Sequence, residues 1–335
     1  MSNRALGERA MERRILVTGA VGQVGVDLVA ALRARHGAGQ VVAAGNRTPP
    51  AEAYRRAGPF VTVDNTDRQR LASVLDDHGI GTVYHLASVL SGTGEGDPAH
   101  AWATNVGSLK NVLDLAVEKR LDRVFWPSSI AAFGPTTPQD RTPQHTVLEP
   151  TTMYGVTKVT GEALCHYYVR KYGLDVRSLR YPGLVSYRAF SGGGTTDYSV
   201  EMFLEAKARG RYRCFVRPDT ILPLMYMDDA IRATIELMAA PAERLTVRTS
   251  YNLAALSFTA GELAAEVARR VPGFTCSFAP DFRQAIADSW PRTIDDSVAR
   301  RDWGWAPQYD LPRLVDTMLA GVGFPLADGP DRGQG

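Results

Sequence analysis

The chain has 335 residues, enough for about two domains at roughly 150 residues each. Charged residues make up 22% and the AVILMFWYC set 44%, which excludes a wholly disordered protein and leaves material for a large core. The 38 basic and 36 acidic residues leave a net +2, so neither nucleic acid nor a membrane surface is an expected partner. Three cysteines, Cys165, Cys214 and Cys276, lie far apart and form no CxxC pair, which points to a reducing, cytoplasmic setting. No apolar run approaches the roughly 18 residues that span a bilayer. The opening MSNRALGERAME lacks an apolar segment and reads as no signal peptide. Met11 is an alternative start, with 1–10 and 328–335 expected to be flexible.

In chain order, ILVTG (15–19), VVAAG (41–45), FVTVD (60–64), TVYHL (82–86), RVFWPSS (123–129) and DVRSLRY (175–181) read as short buried strands. Helical spacing fills 23–36, 67–78, 98–120 and 152–172 between them. Such alternation predicts an α/β fold, a doubly wound parallel Rossmann sheet. After Tyr181 the alternation weakens through a Gly/Ser/Thr-rich loop at 186–197. A helix at 198–209, a short strand near Cys214–Val216 and the apolar run ILPLMYM follow. Asp228–Ala239 reads as one more sheet-flanking helix and Ser250–Ala254 as one more strand. Helices at 259–270, 295–301 and 311–322 are expected in a smaller C-terminal substrate lobe. The expected division is 11–181 plus 226–255 for the dinucleotide domain and 182–225 plus 256–327 for the lobe.

The first strand runs into Gly19-Ala-Val-Gly22-Gln-Val-Gly25 and then into a helix. Gly19 permits the tight turn, Gly22 lets backbone approach a pyrophosphate, and Gly25 allows close helix–strand packing. The second strand ends in Gly45-Asn46-Arg47, where an acid usually grips the ribose 2′-hydroxyl. Asn46 can hydrogen-bond that hydroxyl without repelling a 2′-phosphate, and Arg47 can attract one, so NAD and NADP both stay open. Asp64 is placed either to reach the adenine or to begin the helix after Thr66 and Asp67.

Tyr154-Gly-Val-Thr-Lys158 puts a phenol and an ammonium one helical turn apart. A neighbouring cation stabilises phenolate, lowering the Tyr pKa toward general-base work on an alcohol. Tyr167 and Lys171 repeat the spacing on the far side of the same helix, and Ser129 decides between the pairs. It ends the fifth strand at the carboxyl edge of the sheet, where ligands bind, and Tyr154 begins the next helix. None of the six histidines makes an H-x-x-x-H or Cys/His cluster, so no metal is expected. Trp303 and Trp305 read as lobe packing, while Trp290 is the better candidate for a pocket wall.

With TGAVGQVG, HLAS (85–88), Asn105, SSIAAFGP (128–135) and YGVTK in place, the chain resembles an extended short-chain dehydrogenase/reductase. The resemblance implies that Tyr154 is the base, that Lys158 lowers its pKa and binds the nicotinamide ribose, and that Ser129 polarises the reacting oxygen. It places Asn105 in a proton relay or in support of the site, and extends the cofactor contacts to Gln23, Val24, Leu86, Ala87, Tyr181 and Pro182. Nucleotide-sugar epimerases and dehydratases of that family carry an Asn where Gly183 stands and a phosphate-holding Arg where Leu222 stands. Both departures disfavour a nucleotide sugar. HLASVLSGTGEGDP (85–98), RYPGLVSYRAFSGGGTTDYSVEMF (180–203) and DTILPLMYMDDAIRATIELM (219–238) instead resemble the short-chain L-threonine 3-dehydrogenases, as does SWPRTIDDSVARRDWGWAPQYDL (289–311). That resemblance implies NAD-dependent oxidation of a threonine hydroxyl, with Ser91, Gly194, Thr195 and Thr196 meeting the substrate's charged ends. It also implies a homodimer formed through the helices at 98–120 and 152–172, and a Gly-rich loop at 192–194 closing as a lid or serving as a connector. The remaining alternatives are an epimerase or dehydratase of the same fold and a non-catalytic NAD(P) sensor.

Overall fold

A computed structural model describes residues 13–189 and 194–323. The expectations for 1–10, for the loop residues 190–193 and for 324–335 lie outside the described residues. The first half runs β1 (Arg14–Thr18), α1 (Gln23–His36), β2 (Val41–Gly45), α2 (Glu52–Arg56), β3 (Phe60–Thr62), α3 (Arg68–Asp77) and β4 (Ile80–His85). It continues with α4 (Ser91–Gly96), α5 (Pro98–Trp102), α6 (Ser108–Glu118), β5 (Arg123–Ser129), α7 (Met153–Tyr172) and β6 (Val176–Tyr181). Next come β7 (Gly183–Val185), α8 (Tyr198–Arg209), β8 (Arg211–Cys214), β9 (Ile221–Tyr226), α9 (Met227–Ala239) and β10 (Tyr251–Asn252). The chain closes through β11 (Leu256–Thr259), α10 (Ala260–Ala268), β12 (Thr275–Phe278), α11 (Arg283–Asp288), α12 (Ser297–Trp303) and α13 (Leu311–Gly321).

Seven strands form one parallel sheet in the order β10-β6-β5-β4-β1-β2-β3. Its strands are apolar because both faces are covered: every residue of β2 is buried, and so are Leu16 and Val17 of β1. On one face Leu28, Leu32, Ile231 and Leu237 of α1 and α9 pack with Val17, Leu179 and Tyr251. On the other, Leu71, Leu109, Leu113 and Cys165 of α3, α6 and α7 close over Leu16, Val83 and Trp126. The chain leaves β1 in both directions, so the strand order reverses between β1 and β4. A ligand crevice opens at the carboxyl ends there.

Two smaller sheets build the lobe: β11-β9-β7, in which β9 pairs antiparallel with β11 and parallel with β7, and the parallel pair β12-β8. Their core joins Phe203 of α8, Cys214, Leu222, Leu224, Leu263 of α10 and Met318 of α13.

Two expectations change, and one run left unassigned takes its state. The helix expected over 98–120 is interrupted by a π-turn at Ala103–Gly107, which carries Asn105. The apolar run ILPLMYM is a strand with Pro223 inside it, a residue that argues against a central strand because it donates nothing to the ladder. Ala299, Trp303 and Trp305 pack with Leu179 and Tyr251 in the core of the large sheet, so this stretch of 256–327 does not belong to the lobe's core.

Candidate active site

β1 ends at Thr18 and the chain turns through Gly19 at φ +68°, a conformation that L side chains rarely adopt. A Cβ on Gly19 would stand 2.8 Å from the Ala87 nitrogen, and one on Gly25 would stand 2.2 Å from the Gly19 carbonyl oxygen. The turn can therefore wrap this tightly only with glycine at both places. α1 begins behind Gly22 with no side-chain cap and no acid in its first turn, so its free amides and positive dipole end meet the crevice. That is a fitting cradle for the diphosphate of a dinucleotide. His85 locks it from beneath: Nδ1 lies 2.7 Å from Thr18 Oγ1 and Nε2 lies 3.0 Å from Ser108 Oγ. Burial, with the charge of Lys158 adding to it, pushes the His85 imidazole down to about 3.

A cavity of about 270 Å³ opens above this turn. Gly19, Gly22, Gln23, Val24, Gly25, Leu86, Tyr181 and Pro182, all expected cofactor contacts, are among its lining. Ser129, Tyr154 and Lys158 stand in the same wall, and so do Ser91, Gly194, Thr195 and Thr196. Sequence reasoning did not single out Ser88, Leu90, Leu184 or Asp197, which lie within the stretches that carry the resemblance and which the fold brings to the cavity. Trp290, buried in the lobe, forms part of the wall.

Five of the expected cofactor residues stand apart from that lining. Asn46 and Arg47 are exposed beyond β2. Asp64, exposed beyond β3, accepts hydrogen bonds from the Thr66 hydroxyl at 2.7 Å and the Thr66 amide at 2.9 Å. These bonds hold its carboxyl below the usual range, with smaller contributions from Asn46 and Arg47. Asp67, not Asp64, caps α3 by accepting from the Arg70 amide. Ala87 lies behind Leu86 against the turn. Asn105 is buried, and its amide is engaged within the fold: Oδ1 accepts from Val89 N at 2.7 Å, while Nδ2 donates to Val89 O at 3.0 Å and Thr157 Oγ1 at 3.1 Å. It thereby ties the loop before Ser91 to α7.

The helix carrying the Tyr–Lys pair starts where it does because Thr152 caps it, accepting from Gly155 N at 3.1 Å, while Glu95 accepts from Met153 N at 2.7 Å. Lys158 is buried and donates to the Pro127 carbonyl at 2.8 Å, with Nζ 5.1 Å from the centre of the Tyr154 ring and 4.7 Å from that of Trp126. Burial pushes Lys158 down to about 7, against the opposing pull of Cys165 and Glu162. Burial likewise pushes the Tyr154 phenol up to about 12, and its hydrogen bond with Ser129 draws it back. The expected net lowering of this Tyr does not appear here: burial dominates, and Ser129 is the group that opposes it. An ammonium and a phenolate formed together leave the cavity neutral, so each charge relieves the cost of burying the other.

Gly183 and Leu222, the two departures noted in the sequence, are both closely packed. A Cβ on Gly183 would stand 2.6 Å from Leu224 Cδ2 and from Thr196 Cγ2, and Leu222 is fully buried in the lobe core. Among the described residues no cluster of His, Cys, Asp and Glu is fit to hold a metal ion, and no helix is long and apolar enough to cross a membrane.

The model of the NAD dependent epimerase/dehydratase family matches residues 15–254. The mitochondrial L-threonine 3-dehydrogenase of Bos taurus is 48% identical over 92% of this chain and 83% of its own length. A solved GalE-like L-threonine dehydrogenase from Cupriavidus necator, in its holo form, is 52% identical with a TM-score of 0.89, covering 92% of this chain and 99% of that one. A monomeric L-threonine 3-dehydrogenase from a metagenome, in its apo form, is 44% identical with a TM-score of 0.88, covering 92% and 98%.

Proposed function

The chain belongs to the NAD dependent epimerase/dehydratase family, and from that premise we propose that it oxidises the β-hydroxyl of L-threonine to the ketone of 2-amino-3-oxobutyrate. The observation that carries this reading is the convergence of Ser129, Tyr154 and Lys158 on one cavity wall between the phosphate turn and the polar loop at Gly194–Thr196. NAD, when bound, supplies the nicotinamide carbon that takes the hydride from the threonine β-carbon. Gly19, Gly22 and the α1 amides would hold its diphosphate, and Lys158 and Tyr181 would hold its nicotinamide half. Ser129 donates a hydrogen bond to the reacting oxygen and holds it against Tyr154. The Tyr154 oxygen takes the hydroxyl proton, with the Lys158 ammonium stabilising the phenolate that does so. Ser91, Thr195, Thr196 and the Gly194 backbone give dipoles for a small zwitterion, which needs hydrogen bonds more than an apolar slot.

A homodimer is part of the same reading. Trp102 and Val156, 44% and 37% exposed on α5 and α7, supply apolar surface on the helices expected to pair. The cytoplasm is proposed as the compartment, in keeping with three unpaired cysteines.

The test is to follow reduced nicotinamide by absorbance at alkaline pH with L-threonine, its allo isomer, L-serine and UDP-galactose, each with NAD or NADP. Reduction of NAD with L-threonine alone is the expected result. Conversion of UDP-galactose to UDP-glucose, followed by chromatography because epimerisation leaves no net reduced nicotinamide, sinks the proposal, as does cofactor binding with no turnover of any substrate. Sedimentation gives the oligomeric state.

A further inference from the structure

Glu162 stands one turn beyond Lys158 and two beyond Tyr154 on α7, so all three share a face of that helix. The mechanism above leaves it unused, yet its side chain is 3% exposed and fully engaged. Arg180 on β6 grips both oxygens, Nε to Oε1 at 2.8 Å and Nη2 to Oε2 at 2.7 Å, and Ser128 Oγ donates to Oε1 at 2.6 Å. The remaining nitrogen, Arg180 Nη1, donates to the Gln144 carbonyl at 3.0 Å and to Asn252 Oδ1 at 2.9 Å.

A buried ion pair is weak support for stability, since apolar side chains of similar volume often serve as well. Its place in this site suggests another reason for it. Ser128 lies between Pro127, whose carbonyl accepts from Lys158, and Ser129, which faces Tyr154. Burial drives Lys158 toward the neutral amine, and Cys165 and Glu162 are the two groups that oppose it. The Cys165 thiol is itself pushed up by burial and stays neutral, which leaves the Glu162 carboxylate. The other titratable or charged groups around Lys158 are Tyr154 on its own helix, His85 on β4, held neutral, and Arg180 on β6, held by Glu162.

We propose that Glu162 is a positioning residue for the reaction: clamped by Arg180 and Ser128, it favours the ammonium of Lys158 beside Tyr154 against the burial that disfavours it, and fixes the strand end that carries Ser129. The proposal rests on Tyr154 as the base, and its test reads Lys158 directly. The chain holds five lysines, so labelling lysine side chains at Cε and Nζ gives a simple spectrum in which Lys158→Arg assigns the signal. Replacing both partners, Glu162→Gln with Arg180→Gln, removes the two charges and keeps amides in their place. The expected result is a fall of about one pH unit in the Lys158 midpoint. The alkaline rise of kcat moves up in pH, because phenolate then forms with less help, while KM for L-threonine holds within about twofold. Glu162→Asp, which keeps the charge, restores the midpoint. A double variant that melts earlier while Lys158 titrates as in the parent makes Glu162 structural only and overturns the proposal. Should that pair fail to fold, Glu162→Met with Arg180→Met repeats the measurement in a different packing, with the same two outcomes. Activity surviving in Tyr154→Phe would remove the base and leave the Lys158 titration to speak for Glu162 alone.

Discussion

α7 carries two Tyr–Lys pairs at the same spacing, and they live in opposite surroundings. Tyr167 and Lys171 are at the surface, with Tyr167 47% exposed and Lys171 Nζ donating to its hydroxyl at 2.8 Å. That hydrogen bond holds the Lys171 ammonium above its usual range. Tyr154 and Lys158 lie in the cavity wall, where burial moves both groups toward neutrality, the phenol up to about 12 and the amine down to about 7. The pair with the direct hydrogen bond is the one with nothing to react with. What separates them is position on the helix: thirteen residues turn the second pair by roughly 220° at 100° per residue, away from Ser129 and the crevice. The same four-residue spacing therefore carries chemistry only where the sheet supplies a third group and excludes water.

Breaking the comparison at the phenols has the largest expected effect. Tyr154→Phe removes the proposed proton acceptor and should lower kcat by about 10²- to 10⁴-fold while NAD still binds. Tyr167→Phe should leave kcat and KM as they are. Residual activity in Tyr154→Phe within tenfold of the parent would show that another group takes the proton.

At the lysines the contrast appears in both rate and stability. Lys158→Met should cost about 10²-fold in kcat, as the loss of one preorganised charge does elsewhere, and Lys171→Met should cost nothing. For stability, Lys158 falls from its unfolded value of about 10.4 to about 7 in the fold. Between those values the unfolded chain binds more protons, so stability rises with pH from about 7 toward 10, by at most about 1.4 kcal/mol per unit from this residue. Stability is correspondingly lost as pH falls through that window. Urea unfolding at a series of pH values should show a flatter dependence in Lys158→Met and an unchanged one in Lys171→Met. Equal slopes in parent and Lys158→Met would mean that burial does not strip this amine of its charge.

The features readable in the sequence are those made by short-range spacing. The glycine turn, the helix beginning at Gln23 and the Tyr154–Lys158 pair each sit within one turn or one helix. Features that depend on distant segments are readable only where a motif or a resemblance carries them. Pro223 hides β9, because its strand pairing is set by Gly183–Val185 and Leu256–Thr259 on either side. The π-turn carries Asn105, whose side chain bonds to Val89 and Thr157 in distant segments, which no local pattern announces. Glu162 and Arg180 lie 18 positions apart on a helix and a strand, and only the packing of α7 on β6 makes them one buried group. Trp303 and Trp305 read as lobe residues because the chain reaches them last, yet α12 returns to the edge of the large sheet beside β10.

The smallest expected effect comes from a charge placed in neither setting of the opening comparison, beside the cofactor site yet open to water. Asn46 and Arg47 are exposed at the end of β2, where solvent and salt screen any added charge. Asn46→Asp brings a carboxylate that can accept both ribose hydroxyls of NAD and repels a 2′-phosphate, in competition with the attraction of Arg47. Equilibrium binding of NAD and NADP should show the ratio shifting toward NAD by about tenfold, with kcat on L-threonine unchanged because no reacting group moves. The shift should shrink as ionic strength rises, in contrast with the Lys158 variants, whose buried charge salt reaches poorly. An unchanged cofactor ratio at low salt would place selection elsewhere, with Asp64 beyond β3 as the next carboxylate to vary.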